Sequence, residues 1–157
     1  MKKTAVLFVC LGNICRSPAA EAIFLNLIYE KGIKNNFLVD SAGTGSWHVD
    51  KDADSRMRLA AKQRDLHILS KARQIHKDDF QKFNYILTMD NSNFQNVMKI
   101  KHRYSSSDVS KILRIQEFSS EFNEEEVPDP YFGGEEGFER VLDILQDSVG
   151  GFLNHIT

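Results

Sequence analysis

One short segment near the amino terminus combines a cysteine, five further loop residues and an Arg-Ser pair: Cys10-Leu11-Gly12-Asn13-Ile14-Cys15-Arg16-Ser17. An apolar run precedes it and a helix-forming run follows it, so the segment is predicted to join a strand to a helix. A loop that ends on a helix N-terminus directs several backbone N–H groups to one point, and the helix dipole adds partial positive charge there. The segment therefore predicts a binding site for a phosphoryl group.

Two side chains of this segment have the chemistry for phosphoryl transfer. Arg16 carries a planar guanidinium that can donate two parallel hydrogen bonds to phosphate oxygens, a geometry that lysine lacks. Cys10 lies at the predicted end of the strand, where the positive field favours the nucleophilic thiolate. Gly12 and Asn13 both tolerate a positive φ, and we expect them where the loop curls.

The elements that must position this loop alternate between strand and helix patterns. Short β-rich runs predict strands near residues 4–10, 37–41, 84–88 and 111–115. Helical patterns cover about 18–31, 53–64, 91–99 and 137–154, the first with Ser17 as its cap and Gly32 as its stop. This alternation predicts an α/β fold, a single domain over 1–157 with a four-stranded parallel sheet, helices on both faces and the phosphate-binding loop after strand 1. Ligands of such sheets bind at the carboxyl ends of the strands, where Cys10 lies.

A second segment, late in the chain, supplies a candidate acid: Val127-Pro128-Asp129-Pro130-Tyr131-Phe132. Breaking a phosphate ester leaves negative charge on the departing oxygen, so a positioned acid must protonate that oxygen. Prolines on both sides of Asp129 restrict the backbone and fix the direction of the carboxyl group. Taken alone, the spacing fits an aspartate in an ordinary proline-bounded turn equally well.

Further motifs accompany these two segments: Asp40-Ser41-Ala42-Gly43-Thr44, Ala72-Arg73-Gln74-Ile75, Asp79-Phe80, and Tyr85-Ile86-Leu87 with Met89-Asp90. The whole set, at this spacing, resembles the low molecular weight protein tyrosine phosphatases over almost the entire chain. The resemblance implies that Cys10 is the nucleophile, Arg16 the phosphate-binding and transition-state residue, and Asp129 the general acid. It also implies that Asn13 and Ser17 hold the loop and stabilise the thiolate.

The resemblance further implies a reaction and a substrate class. Phosphotyrosine and small aryl phosphates are hydrolysed through a phosphocysteine intermediate, in a phosphate-binding loop formed by Leu11, Gly12, Asn13, Ile14, Cys15 and Ser17. The resemblance places Trp47, Tyr131 and Phe132 at the pocket mouth, with Leu11 as a further apolar contact, although each aromatic residue taken singly fits ordinary packing. The alternative is arsenate reduction by the same fold with an external thiol, because no cysteine follows Cys15.

Cys15 allows three interpretations. Its side chain packs in the interior, or only its backbone amide serves the loop, or its thiol is a redox partner that captures oxidised Cys10 as a disulfide. The third interpretation is favoured because a second thiol beside a reactive one protects it from irreversible oxidation.

Composition restricts the cofactors, the partners and the location. A formal charge of −2 argues against nucleic-acid binding, and the basic run Lys99-Ile100-Lys101-His102-Arg103 lacks interleaved aromatic residues. No apolar run approaches the length of a membrane span, and the one after Lys2 and Lys3 is too short for a signal peptide. The five histidines show no paired ligand spacing, so we expect neither metal nor cofactor. We expect a cytoplasmic monomer or weak homodimer that binds no membrane.

Overall fold

The computed structural model describes residues 2–104, 109–131 and 133–157. Its sheet contains four strands: β1 (Thr4–Cys10), β2 (Phe37–Gly43), β3 (Tyr85–Thr88) and β4 (Lys111–Arg114). The strand order is β2-β1-β3-β4, and every neighbouring pair is parallel. The predicted four-stranded parallel sheet is confirmed. β1 is central, and the loop that follows it lies between the carboxyl ends of two other strands.

In the described part of the chain, five α-helices connect and cover these strands: α1 (Arg16–Glu30), α2 (Ser55–Lys62), α3 (Asp79–Lys82), α4 (Asn91–Tyr104) and α5 (Glu135–Ile156). Short 3-10 turns cover Lys34–Asn36 and Ile115–Phe118. The single-turn helix α3 was not predicted, because one helical turn carries no periodic apolar pattern. No helix within the described ranges is both long enough and apolar enough to cross a bilayer.

The start of α1 differs from its prediction. The helix begins at Arg16 with Cys15 at the N-cap position, and no side chain caps it. Ser17 was expected to be the cap, but it lies inside the first turn, where its hydroxyl contacts the sulfur of Cys10. Gly32 does follow the last turn, with φ of 69°, as the predicted stop requires.

The sheet separates two hydrophobic cores, and β1 contributes alternate residues to each. Val6 and Phe8 pack into the larger core, which contains the buried faces of α1 and α5. Leu7 and Val9 pack into the smaller core, with apolar residues of α3 and α4. Helices therefore cover both faces of the sheet, as predicted, and β1 is buried on both sides.

Candidate active site

The loop from Cys10 to Ser17 is fastened at its start by the end of β2. Cys10 lies opposite Gly43 in the strand register. The amides of Thr44 and Gly45 donate to the carbonyl oxygens of Cys10 and Leu11, each at 2.9 Å. A Cβ on Gly43 would lie 2.7 Å from the Leu11 carbonyl oxygen, so a larger residue would push the loop away. The absence of a side chain at Gly43 is therefore a requirement for the shape of the loop.

The sulfur of Cys10 has two polar neighbours within its own loop. Its Sγ lies 3.1 Å from Ser17 Oγ, and the backbone amide of Asn13 donates to it at 3.3 Å. Ser17 Oγ accepts a hydrogen bond of 2.7 Å from Asn13 Nδ2, and its O–H has the Cys10 sulfur and the Ala42 carbonyl oxygen, at 3.4 Å, within reach. The sulfur of Cys10 therefore has a backbone amide and a hydroxyl within hydrogen-bonding distance.

Asn13 adopts the left-handed conformation that the sequence predicted, with φ of 58°. Its side-chain oxygen accepts from the backbone amide of Arg73 at 3.0 Å, so both ends of the side-chain amide are bonded. Gly12 also lies in the curl of the loop, as expected, but its φ is not positive. Gly12 instead provides room for the ring of His48, whose Cδ2 would lie 3.0 Å from a Cβ at that position.

Arg16 is buried and connects the loop to two other segments. Its Nη1 donates to Asp90 Oδ2 at 2.7 Å and to the Val127 carbonyl oxygen at 3.0 Å, and its Nη2 lies 3.6 Å from Asp129 Oδ2. Burial lowers the pKa of Arg16, but the sulfur of Cys10 and the Asp90 carboxylate raise it by more, so the net pKa is above its ordinary value. Arg16 is therefore a fixed cation at the base of the site.

Asp90 is a functional residue that sequence reasoning missed. It was quoted only as part of a motif, with no role assigned. Its position carried a signal nonetheless: it follows β3, a neighbour of β1, at the same edge of the sheet as the Cys10 loop. Its carboxylate fixes the direction of the guanidinium of Arg16.

The segment that carries Asp129 is held in place largely by hydrogen bonds with other segments of the chain. The amide of Tyr131 donates to Asp129 Oδ1 at 3.1 Å, and the amide of Val127 donates to the Met89 carbonyl oxygen at 2.9 Å. Arg56, on α2, donates to the Tyr131 carbonyl oxygen at 3.0 Å, and its guanidinium lies 5.6 Å from the centre of the Tyr131 ring. The structure thus brings the predicted acid to the predicted nucleophile loop through side chains of other elements.

These parts surround one cavity of about 220 Å³, lined by Cys10, Leu11, Gly12, Ile14, Cys15, Arg16, Trp47, His48, Asp129 and Tyr131. Of the predicted rim, Leu11, Trp47 and Tyr131 line this cavity, while Phe132 lies outside the described residues. Asn13 and Ser17 are not in its lining and lie behind the sulfur. His48 is a wall residue that sequence reasoning missed. The cavity joins a nucleophile, a cation and a carboxyl group between apolar walls.

Cys15 lines the same cavity with a buried, free thiol. Burial raises the pKa of this thiol far above its ordinary value, and the charge of Asp54 adds to the effect. The Cys10 sulfur, by contrast, has the Ser17 hydroxyl and the Asn13 amide as polar neighbours.

Among the described residues, no group of three or more histidine, cysteine or acidic side chains has the arrangement of a metal site.

Comparison with known proteins agrees with this geometry. The family model described as low molecular weight phosphotyrosine protein phosphatase matches residues 5–157. A Schizosaccharomyces pombe protein of that name is 40% identical over 156 residues, covering 99% of this chain and 98% of that protein. An Entamoeba histolytica protein tyrosine phosphatase, solved with Hepes in its active site, has a TM-score of 0.91 at 41% identity and covers 98% of this chain and 97% of that one.

One similar structure belongs to a protein named for a different activity. A Drosophila arginine phosphatase superposes with a TM-score of 0.92 at 35% identity, covering 100% of this chain and 98% of that one. The family match spans nearly all of the chain, and the relatives match it over nearly their full length. The chain belongs to the low molecular weight phosphotyrosine protein phosphatase family, as its motifs predicted.

Proposed function

We propose that this protein hydrolyses phosphotyrosine in proteins, and small aryl phosphates, with Cys10 as nucleophile, Arg16 as transition-state stabiliser and Asp129 as general acid and base. One observation carries the proposal. A single cavity brings the sulfur, the guanidinium and the carboxyl group together, although Asp129 is far from the loop in sequence. The phosphate-binding loop presents its N–H groups at the start of α1, where the helix dipole favours a dianion.

The first step transfers the phosphoryl group to sulfur. The Cys10 thiolate attacks phosphorus in line with the bond to the phenolic oxygen, and a sulfur–phosphorus bond forms as the phosphorus–oxygen bond breaks. Arg16 and the loop amides bind the equatorial oxygens. Asp129 donates its proton to the departing phenolic oxygen, so the product leaves as a neutral phenol and a phosphocysteine remains.

The second step releases phosphate. Water attacks phosphorus while the carboxylate of Asp129 accepts its proton, and the sulfur–phosphorus bond breaks to regenerate the thiolate. The Asn13 amide and the Ser17 hydroxyl, both at the sulfur, stabilise that leaving thiolate. The reaction consumes one water and needs no group beyond those residues.

The walls of the cavity support an aryl substrate. Leu11, Ile14 and Trp47 provide apolar surface between the cavity mouth and the sulfur, and Tyr131 adds an aromatic ring. A phenyl ring gains free energy against such walls, whereas a charged guanidinium loses hydration there. Phosphoarginine, suggested by the Drosophila neighbour, is therefore expected to be the poorer substrate. Phe132 stays in the proposed rim on its sequence position alone.

Cys15 completes the proposal as a redox partner. Peroxide would oxidise the Cys10 thiolate to a sulfenic acid, and the Cys15 sulfur would then displace hydroxide, forming a disulfide and releasing water. Both thiols line one cavity, which supports their encounter. Mass spectrometry after mild peroxide treatment should find the Cys10–Cys15 disulfide, and Cys15→Ser should lose recovery of activity by added thiol. Full recovery in Cys15→Ser would contradict this role.

We also propose that the protein works as a cytoplasmic monomer or weak homodimer, without nucleic acid, membrane, metal or cofactor. A reducing compartment would keep Cys10 in its reactive form. Light scattering over a concentration series tests the assembly state. A stable higher oligomer would contradict it.

The experiment that tests the activity is a substrate panel followed by capture of the intermediate. Initial rates are compared for a phosphotyrosine peptide, para-nitrophenyl phosphate and a phosphoarginine peptide. Asp78 is an exposed acidic residue beside α3, and Asp78→Asn is the matched control for the Asp129→Asn variant. Acid quenching during turnover should leave phosphate on Cys10, detected by peptide mass spectrometry. Turnover of arsenate with an external thiol, without phosphatase activity, would instead favour the alternative reaction.

A further inference from the structure

A second cavity, of about 260 Å³, adjoins the active site on its α4 side. One wall is formed by Leu11, Gly45 and Trp47, and the other by Asn96, Lys99 and Arg103 of α4. We call it the α4 groove. Leu11 and Trp47 also line the active-site cavity, so the two cavities share a wall. Trp47 is 67% exposed, so its ring offers a platform between them.

The cationic side chains of Lys99 and Arg103 line this groove. Lys99 and Arg103 are one helical turn apart on α4 and both are exposed. Neither makes an ion pair with a carboxylate in the described ranges. Their charge belongs to the basic run that the sequence analysis left without a function.

The segment around Asp129 is rich in glutamate, with Glu126 bonded to the backbone amide of Asn91 and Glu124 paired with Arg140. Glutamates precede Asp129 at positions 124–126 and follow it at Glu135 and Glu136. The cations Lys99 and Arg103 of the α4 groove attract a negatively charged substrate flank.

We propose that the α4 groove binds the carboxylates of acidic residues that flank the phosphotyrosine in the substrate protein. This inference rests on the proposed function of the adjoining site. Residues four apart on a helix are separated by about 6 Å along its axis, and alternate residues of an extended peptide by about 6.6 Å. Two acidic residues at alternate positions of an extended substrate can therefore reach Lys99 and Arg103 together. The main chain of that substrate crosses Trp47.

The test compares acidic and neutral flanks. Phosphotyrosine peptides with Asp and Glu, with Ser and Gln, or with Lys beside the phosphotyrosine are hydrolysed by the wild type and by a Lys99→Glu/Arg103→Glu double variant. Lys111→Glu, at the first residue of β4, is the control for a charge reversal outside the groove. Para-nitrophenyl phosphate, which has no flank, reports the active site alone.

We expect the wild type to favour the acidic peptide about tenfold in kcat/KM, mainly through KM, and raised salt to shrink that preference. The double variant should lose about tenfold on the acidic peptide and gain on the lysine-flanked one, with the rate on para-nitrophenyl phosphate within about twofold of wild type. Lys111→Glu should keep the wild-type preference.

Several outcomes would overturn the proposal. Equal losses on all peptides and on para-nitrophenyl phosphate, or a lowered Tm, would assign Lys99 and Arg103 to helix stability, because cations favour a helix C-terminus anyway. Unchanged peptide selectivity with lost binding of a single-stranded oligonucleotide would assign them to nucleic acid. Peptide affinities of the Cys10→Ser protein, measured by fluorescence anisotropy, test the groove even if the wild type hydrolyses nothing. The proposed role of the groove and the proposed reaction can therefore be refuted independently.

Discussion

The nucleophile loop and the acid segment are built in opposite ways. Asn13, Arg16 and Ser17 are at most 2% exposed, and the sulfur's hydrogen-bonding neighbours come from its own eight-residue loop. The side chain of Asp129, by contrast, is 37% exposed, and its segment depends on Arg16 and on Arg56 from another helix. The sulfur therefore finds its hydrogen-bonding neighbours locally, while the proton donor is positioned by long-range contacts.

Removal of the nucleophile should have the largest effect. Cys10→Ser keeps a hydroxyl within reach of Ser17 and Asn13 but replaces a thiolate by an oxygen that stays protonated at neutral pH. We expect kcat to fall at least about 10³-fold, with phosphate binding retained. Stopped assays with para-nitrophenyl phosphate and vanadate titration measure the two quantities. Activity within tenfold of wild type would remove Cys10 from its role.

Loss of the acid should depend on the leaving group. Asp129→Asn keeps the hydrogen bond from the Tyr131 amide but cannot transfer a proton. We expect kcat for phenyl phosphate to fall by about 10²- to 10³-fold. The fall should be smaller for para-nitrophenyl phosphate, because nitrophenolate leaves without protonation. Equal losses on both substrates would place Asp129 in binding and not in proton transfer.

Asn13 tests how rigid the loop frame is. Asn13→Ala removes two side-chain hydrogen bonds and places a β-carbon residue at φ of 58°. The free energy of unfolding should drop by roughly 2–3 kcal/mol, from lost hydrogen bonds and from strain. Asn13→Gly is the matched control, because glycine accepts the positive φ and lacks only the amide. Equal stability of Ala and Gly variants in chemical unfolding would show that strain contributes nothing.

The same contrast explains how far the sequence could be interpreted. The determinants of the nucleophile loop are consecutive, so Cys10, Asn13 and Arg16 could be predicted from spacing and chain chemistry. The helix pattern assigned Ser17 to the helix cap, where it does not lie, whereas the family resemblance placed it beside the thiolate, and its hydroxyl lies 3.1 Å from the Cys10 sulfur. Arg56 carried no local signal at all, because its role depends on where α2 lies beside Tyr131.

Substitution of Arg56 should therefore weaken the positioning of the segment that carries Asp129. Arg56→Ala removes the hydrogen bond to the Tyr131 carbonyl oxygen and the ring contact, while Asp54 still accepts from the backbone amide that caps α2. We expect a roughly three- to tenfold fall in kcat for phenyl phosphate. The free energy of unfolding should change little, because the ion pair of Arg56 with Asp54 is partly exposed. Arg58→Ala, on the same helix, should leave both unchanged. A fall shared by Arg58→Ala would point to α2 as a whole.

Behind the nucleophile loop, the buried Glu21 should make its frame sensitive to pH. Burial raises the pKa of Glu21 above its ordinary value of 4.5, the hydrogen bond from Ser41 opposes the rise, and the charge of Asp40 adds to it. The folded state therefore holds the proton more tightly than the unfolded state, so the stabilising contribution is complete below pH 4.5 and is lost as pH rises through the higher folded pKa.

Glu21→Gln removes this titration and keeps an oxygen that can accept from Ser41. In the wild type, part of the free energy of unfolding should be lost as pH rises above about 4.5, and in the variant that loss should be absent. Urea unfolding across the acidic to neutral range measures both profiles. Because Glu21 lies on α1, behind the Cys10 loop, and not in the Asp129 segment, the leaving-group dependence that reports Asp129 should stay as in the wild type. If variant and wild type show parallel pH profiles, Glu21 stays charged in the folded protein. The burial of its carboxylate behind the nucleophile loop would then have no effect on the pH dependence of the free energy of unfolding.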